Sequence, residues 1–275
     1  MRYREFLPAA PLRPLVHRIW MLQGEAGAEA EFQRAMPDGR PELIFNLADR
    51  FESRGPGGQS GQPEALLVGP TTLAMELRPT GRVDLLGLRL QPGAAPALLR
   101  HSGLELVDRA LDLSDLHLGW TKHLAGRLAA LEHAVGRVEL VQRRLVRSVE
   151  NADRDSRLEA GVALVLRSRG PMGTGRIANL VGLSPRHLSR LCRERVGIGP
   201  KLLGRLTRFQ RVLRELEQGT RPRWPALAHR HGYFDQAHLA GDFRRFAGVS
   251  PGRYLAATRE LTRHFIDGEE PPGAG

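Results

Sequence analysis

The sequence predicts an α+β protein: a β-rich N-terminal domain, a helical middle, and an all-α C-terminal domain carrying two helix-turn-helix units. Three observations predict it. Through residue 95, short apolar runs are cut by proline- and glycine-rich turn signals. From residue 96 onward, apolar residues recur at three- and four-residue steps. In the last third, one pattern of alanine, glycine, leucine, glycine and proline occurs twice, about 50 residues apart.

The β-rich reading of 1–95 rests on runs such as Leu43-Ile44-Phe45, Ala65 to Val68 and Leu85 to Leu90. Between them stand Pro37-Asp38-Gly39, Gly69-Pro70, Pro79-Thr80-Gly81 and Pro92-Gly93, and Ser53–Pro63 reads as a flexible loop. Strands at this spacing suggest a small sandwich or barrel. Residues 96–157 read as a helical linker and dimerisation region, with apolar rows Leu124, Leu128, Leu131 and Leu140, Val141, Leu145, Val149. The polar stretch Asn151 to Ser156 marks a hinge, 158–264 form the last domain, and 265–275 are expected to be a disordered tail.

Charge separates the same regions. The net charge is +11, yet residues 1–159 hold 21 basic and 21 acidic residues, whereas 160–265 hold 20 Lys/Arg against 6 Asp/Glu. A basic block confined to one domain points to a polyanion, with nucleic acid ahead of an anionic membrane surface. Arginine accounts for 39 of the 41 basic residues, a coding bias that explains the choice of arginine but not the asymmetry. The single cysteine, Cys192, excludes an internal disulfide and a cysteine-based zinc site. Neither a secretory leader nor an apolar run long enough to span a bilayer is legible, so a soluble cytoplasmic protein is expected.

Each repeat copy fits a helix-turn-helix. In the first, Ile177–Val181 supports, Gly182 turns, Ser184 caps, and Pro185 opens a helix to about Val196. Leu188, Leu191, Cys192 and Val196 form its buried stripe, while Arg186, Ser189, Arg190 and Arg193 face out. Arginine reads guanine in bidentate fashion and serine takes several base partners, so this is the layout of a base-reading helix; a solvated basic face is the competing reading. In the second copy Asp235 caps, Leu239, Phe243 and Phe246 are core, and the outer ridge is Ala237, Ala240, Gly241 and Arg244. Small side chains allow close approach but carry little hydrogen-bond information. Between the copies, Pro200–Glu217 reads as one helix with Arg205, Arg208, Arg211 and Arg214 outward. Its length, roughly 27 Å, is near the roughly 34 Å between successive major-groove windows.

The runs Gly182 to Gly197 and Gly232 to Tyr254 resemble the two recognition units of AraC/XylS-type transcriptional regulators. The resemblance implies a seven-helix DNA-binding domain with base contacts at Arg186, Ser189 and Arg190, and at Gln236, Ala237, Ala240 and Gly241. Gly241 departs from the arginine often found there. Contacts to the DNA backbone are assigned to Ser184, His187, Arg193, Arg208, His238 and Arg244. More weakly, Met36 to Asn46 and Val68 to Thr71 resemble a cupin-like sensor domain, with Asp38, Glu42 and Asn46 as effector-pocket candidates against a competing role in turn and strand-end capping. Residues 1–95 hold one histidine, His17, so no metal is expected there. His229, His231 and His238 fall inside the second unit and are not read as a zinc site.

The function these readings imply is a promoter-binding regulator without cofactor, whose expected partners are double-stranded DNA, a small-molecule effector, a second copy of the chain, and RNA polymerase. Two alternatives stand beside it. One is an enzyme fused to a DNA reader: a repair methyl acceptor, whose reactive cysteine would have to be Cys192, or a cupin-type enzyme, whose metal ligands are absent from residues 1–95. The other is a non-specific nucleic-acid or membrane-surface protein.

Overall fold

The computed structural model describes residues 1–257 apart from 28–29, 56–57, 100, 117, 119–120, 122, 150–151, 169, 171 and 218–221. The strands are β1 (Arg2–Phe6), β2 (Val16–Glu25), β3 (Gln33–Ala35), β4 (Glu42–Asn46), β5 (Phe51–Gly55), β6 (Gly58–Gly61), β7 (Ala65–Val68), β8 (Met75–Pro79), β9 (Arg82–Leu90) and β10 (Ala110–Asp112). They form a six-stranded sheet of order β1-β2-β9-β4-β7-β10 and a four-stranded sheet of order β3-β8-β5-β6. The expected barrel is thus two antiparallel sheets, and the sheet does not end at residue 95, because Ala110 pairs with Val68. The expected loop at 53–63 carries most of the β5–β6 hairpin.

Alternation along the strands explains why their runs are apolar throughout. Trp20, Leu22, Ile44, Leu66 and Leu85 point toward the small sheet and meet Phe51 and Leu77. Their neighbours Ile19, Met21, Leu43, Phe45, Leu67, Leu86 and Leu88 point the other way, into a second core. Gly87 pairs with Trp20, and a Cβ there would lie 2.0 Å from the indole ring.

Helices close the second core: α1 (Ala94–Leu99), α2 (Gly103–Leu106), α3 (Leu124–Ala129) and α4 (Ala134–Val149). Leu124, Leu128, Leu140, Val141 and Leu145 are buried on the sheet. Most of the two apolar rows is therefore buried within the chain, with Leu131 and Val149 only partly covered. Arg137 fastens α4 to β9 through a bidentate pair with Asp84, at 2.8 and 2.9 Å.

The C-terminal domain comprises α5 (Ser156–Arg167), α6 (Thr174–Leu180), α7 (Pro185–Leu191), a π-helical turn at Cys192–Val196, α8 (Pro200–Glu217), α9 (Trp224–Arg230), α10 (Gln236–Ala247) and α11 (Pro251–Ala257). Asp155 starts α5 by accepting the N–H groups of Arg157 and Leu158. Phe209 of α8 sits at the centre, 5.0 Å from the Phe243 ring and 5.3 Å from that of Phe246. The tail expected at 265–275 lies outside the described residues.

The two domains are packed together. Met36 belongs to the helical core. The Gln210 amide donates to the Pro37 carbonyl at 3.0 Å, and the Ala74 N–H donates to the Phe246 carbonyl at 2.8 Å. Gly103 of α2 abuts the π-helical turn so closely that a Cβ would stand 2.5 Å from the Arg195 carbonyl oxygen.

Candidate nucleic-acid interface

The two units are built alike, bond for bond. In each, a small residue of the supporting helix, Ala178 or Ala228, is fully buried, letting the second helix cross closely. Its carbonyl accepts an N–H from beyond the turn, Leu183 or Tyr233, at 2.9 Å in both. The turn glycines have φ of 67° at Gly182 and 71° at Gly232, a region that suits glycine. Ser184 Oγ accepts the His187 N–H at 3.2 Å, and Asp235 Oδ1 accepts the His238 N–H at 2.7 Å. The extra turn residue of the second unit is Phe234, whose side chain is 91% exposed.

On α7, Arg186 and Arg190 are exposed and Ser189 is half-buried, with Leu188 beneath them. Arg190 donates to both Glu194 oxygens at 3.0 Å, so this guanidinium is presented with a carboxylate attached. His187 is half-buried and Ser184 is exposed. Arg193 is also exposed, but it stands in the wider π-helical turn, so simple helical spacing no longer sets its ridge. On α10, Gln236, Ala237, His238, Gly241 and Arg244 are exposed and Ala240 is half-buried.

Arg208 is a correction. It was expected outward, at a phosphate, but is 8% exposed. It donates to the Gly232 carbonyl at 3.2 Å, lies 3.7 Å from Asp242, and stacks 4.3 Å over the Tyr233 ring. Arg205 also pairs with buried Asp242, and Arg211 donates to the Leu166 and Ser168 carbonyls at the end of α5. Three of the four arginines expected on the outer face of α8 are thus internal clamps. Periodicity places a side chain on a face; it does not say which neighbour covers that face.

In the β domain, Asp38 and Glu42 line a cavity of about 60 Å³ together with Arg40 and Arg89. Glu42 is 2.6 Å from Arg89 Nε, and Asp38 also accepts the Arg40 N–H at 2.8 Å as a turn cap. Asn46 is not among the lining residues; its amide donates to the Pro63 carbonyl at 2.8 Å.

Cys192 is buried, and loss of solvation pushes its thiol up to about 12. His231 bonds Glu215 at 2.7 Å, whereas His238 packs edge-on against Tyr233 at 5.1 Å. Among the described residues, no group of three or more His, Cys, Asp or Glu is placed to hold a metal ion. None of the described helices is long and apolar enough to cross a membrane.

Residues 177–257 match the family model "Helix-turn-helix domain", and residues 4–112 match "Domain of unknown function (DUF6597)". The chain is 35% identical over 82 residues to the HTH-type transcriptional regulator GlxA of Rhizobium meliloti (strain 1021), a stretch covering 30% of this chain and 25% of that protein. The chain therefore matches about a quarter of that relative's length. Among solved structures, ToxT from Vibrio cholerae bound to (E)-4-(8-methylnaphthalen-1-yl)but-3-enoic acid aligns over 86% of this chain and 98% of its own, at 10% identity and a TM-score of 0.49. The AraC-like transcriptional activator CuxR aligns over 86% and 98%, at 13% identity and a TM-score of 0.28. Twin units of one construction and a matching family model identify residues 177–257 as an AraC-type helix-turn-helix domain.

Proposed function

We propose that the protein is a sequence-specific DNA-binding transcription regulator, with α7 as the principal base reader and α10 as the second point of groove contact. The observation that carries this is the repeated unit: two capped helices, each on the same alanine–glycine turn, in one basic domain. Arg186, Ser189 and Arg190 supply hydrogen-bonding side chains on α7. The small residues Ala237, Ala240 and Gly241 let α10 approach a groove without reading much of it, so shape and phosphate contact dominate there. Gln236, Ser184, His187, Arg193, His238 and Arg244 belong to the same surface, whereas Arg208 is assigned to holding it together.

The same proposal includes a homodimer on a promoter in the cytoplasm, contact with RNA polymerase, and a small-molecule effector. The β domain's small cavity, where Asp38, Glu42 and Arg89 stand among Met36, Ile44, Val68 and Leu77, supports the last. An enzymatic reading is disfavoured by Cys192, whose thiol stays protonated at neutral pH.

Selection of bound duplexes from a random pool, followed by footprinting, tests the reading; the expected product is a site with two windows about one helical turn apart. Arg190→Ala is expected to remove about 1–3 kcal/mol of discrimination, leaving a salt-sensitive background on random DNA. Equal loss on selected and random duplexes would show that Arg190 does not read bases, and failure to select any sequence would end the proposal.

A further inference from the structure

A cleft of about 840 Å³ lies between the two helix-turn-helix units, along one side of α8. One wall is apolar, formed by Val165, Met172 and Ile177; facing it are Tyr233 and Phe234 of the second unit's turn. The α8 side contributes Lys201, Gly204, Arg205 and Arg208, and none of the described lining residues is acidic. Asp242, the carboxylate that pairs with Arg205 and Arg208, is 1% exposed and so lies beneath them. At the floor, Arg208 Nε is buried without a hydrogen-bond partner.

We propose that this cleft binds an organic anion with an apolar body, an aromatic or aliphatic carboxylate, seated between the two units. The size is that of a small-molecule site, roughly 300–1,000 Å³. Each part of such a ligand has a counterpart. The apolar walls and the exposed Phe234 ring gain from covering its body. The carboxylate is held by Lys201, with the Arg205 and Arg208 guanidiniums beside it. A duplex phosphate fits less well. It is hydrophilic on every side, and the apolar walls would strip its water without return. Because the walls come from both units, an occupant also sets the spacing between α7 and α10.

The test is titration of the full chain, without DNA, into 4-(1-pyrenyl)butyrate, read by fluorescence anisotropy, with 4-(1-pyrenyl)butanol as the uncharged comparator. One saturable site is expected, about tenfold tighter for the carboxylate than for the alcohol. Gly204→Leu should abolish it: a Cβ there meets Val165 at an ordinary contact distance of 3.6 Å, and the rest of the leucine side chain takes up cleft volume. Lys201→Glu, at an exposed position, should weaken the carboxylate about tenfold and leave the alcohol unchanged, so the proposal stays testable if Gly204→Leu fails to fold. Absence of saturable binding overturns it, as does wild-type affinity in both variants. If the wild-type chain takes up no probe while Lys201→Glu loses duplex affinity, the cleft is a phosphate seat and the proposal is wrong. Because the titration contains no DNA, its outcome is separate from that of the promoter-binding reading.

Discussion

On α7 the Arg190 guanidinium already holds the Glu194 carboxylate, so reading a base requires giving up that pair. Both side chains are about half exposed, and such pairs contribute about 0.2–1 kcal/mol. Glu194→Gln removes the competitor and one negative charge near the DNA. Affinity for the selected duplex should rise a few-fold, by the same roughly 0.2–1 kcal/mol, in fluorescence titrations; unchanged or weaker binding would mean that the pair orients Arg190 rather than restraining it. Cys192 gives a second test at this scale. Its pKa is raised, so the neutral thiol persists through physiological pH and the reactive thiolate forms only toward about 12. Native protein at pH 8 should leave an aromatic disulfide reagent unreacted until denaturant is added. Rapid reaction of the folded chain would reopen the enzymatic reading.

At the scale of elements, α8 does more than separate two readers. Its inward residues Leu203, Leu206, Phe209, Val212 and Leu213 are fully buried, and its arginines tie the flanking pieces to it. Arg208 reaches the turn glycine of the second unit and Asp242 of α10, while Arg211 holds the carbonyl end of α5. Arg208→Ala is therefore expected to act on stability. Removing it leaves the Gly232 carbonyl and half of the Asp242 charge uncompensated, costing roughly 1–3 kcal/mol. Chemical denaturation should show that loss, while the salt dependence of DNA binding keeps its slope. A slope reduced by about one with unchanged stability would restore Arg208 to the phosphate backbone.

At the scale of the whole molecule, the β domain is seated on the first unit through a contact with no slack. Gly103 and Gly197 face each other; a Cβ on Gly197 would lie 2.5 Å from the Gly103 carbonyl oxygen, and the reverse substitution is equally blocked. Met36 sits in the helical core and Gln210 bonds the Pro37 carbonyl. The recognition helix α7 and the β domain are thus coupled through the π-helical turn. Gly103→Ala leaves the φ of its own residue acceptable but forces α2 off that turn, an overpacking cost of about 1–3 kcal/mol. Calorimetry should resolve two unfolding transitions in place of one. A single transition at the wild-type temperature would show that the contact yields easily and transmits nothing.

By itself the sequence determined what local chemistry controls. Turn glycines, Ser184 and Asp235 as caps, the buried stripes of both reading helices and the exposed Arg186 and Arg190 all follow from nearest-neighbour rules, and all but the half-buried Leu191 are where spacing placed them. The strand cores were legible for the same reason, since alternating side chains on both faces of one sheet need continuous apolar runs. Tertiary structure alone decided what covers each face. The apolar rows of α3 and α4 fit a partner helix as well as a sheet, and only packing shows that they close the β domain. Arg205 and Arg208 of α8 became clamps because α10 brings a buried aspartate to them, and Arg211 because the end of α5 brings it two carbonyls. The cleft beside Phe234 joins residues 165 to 238, which no local pattern links. Periodicity fixes the direction of a side chain relative to its own backbone; its partner is set by chain segments distant in sequence, and that relation is written nowhere in the local spacing.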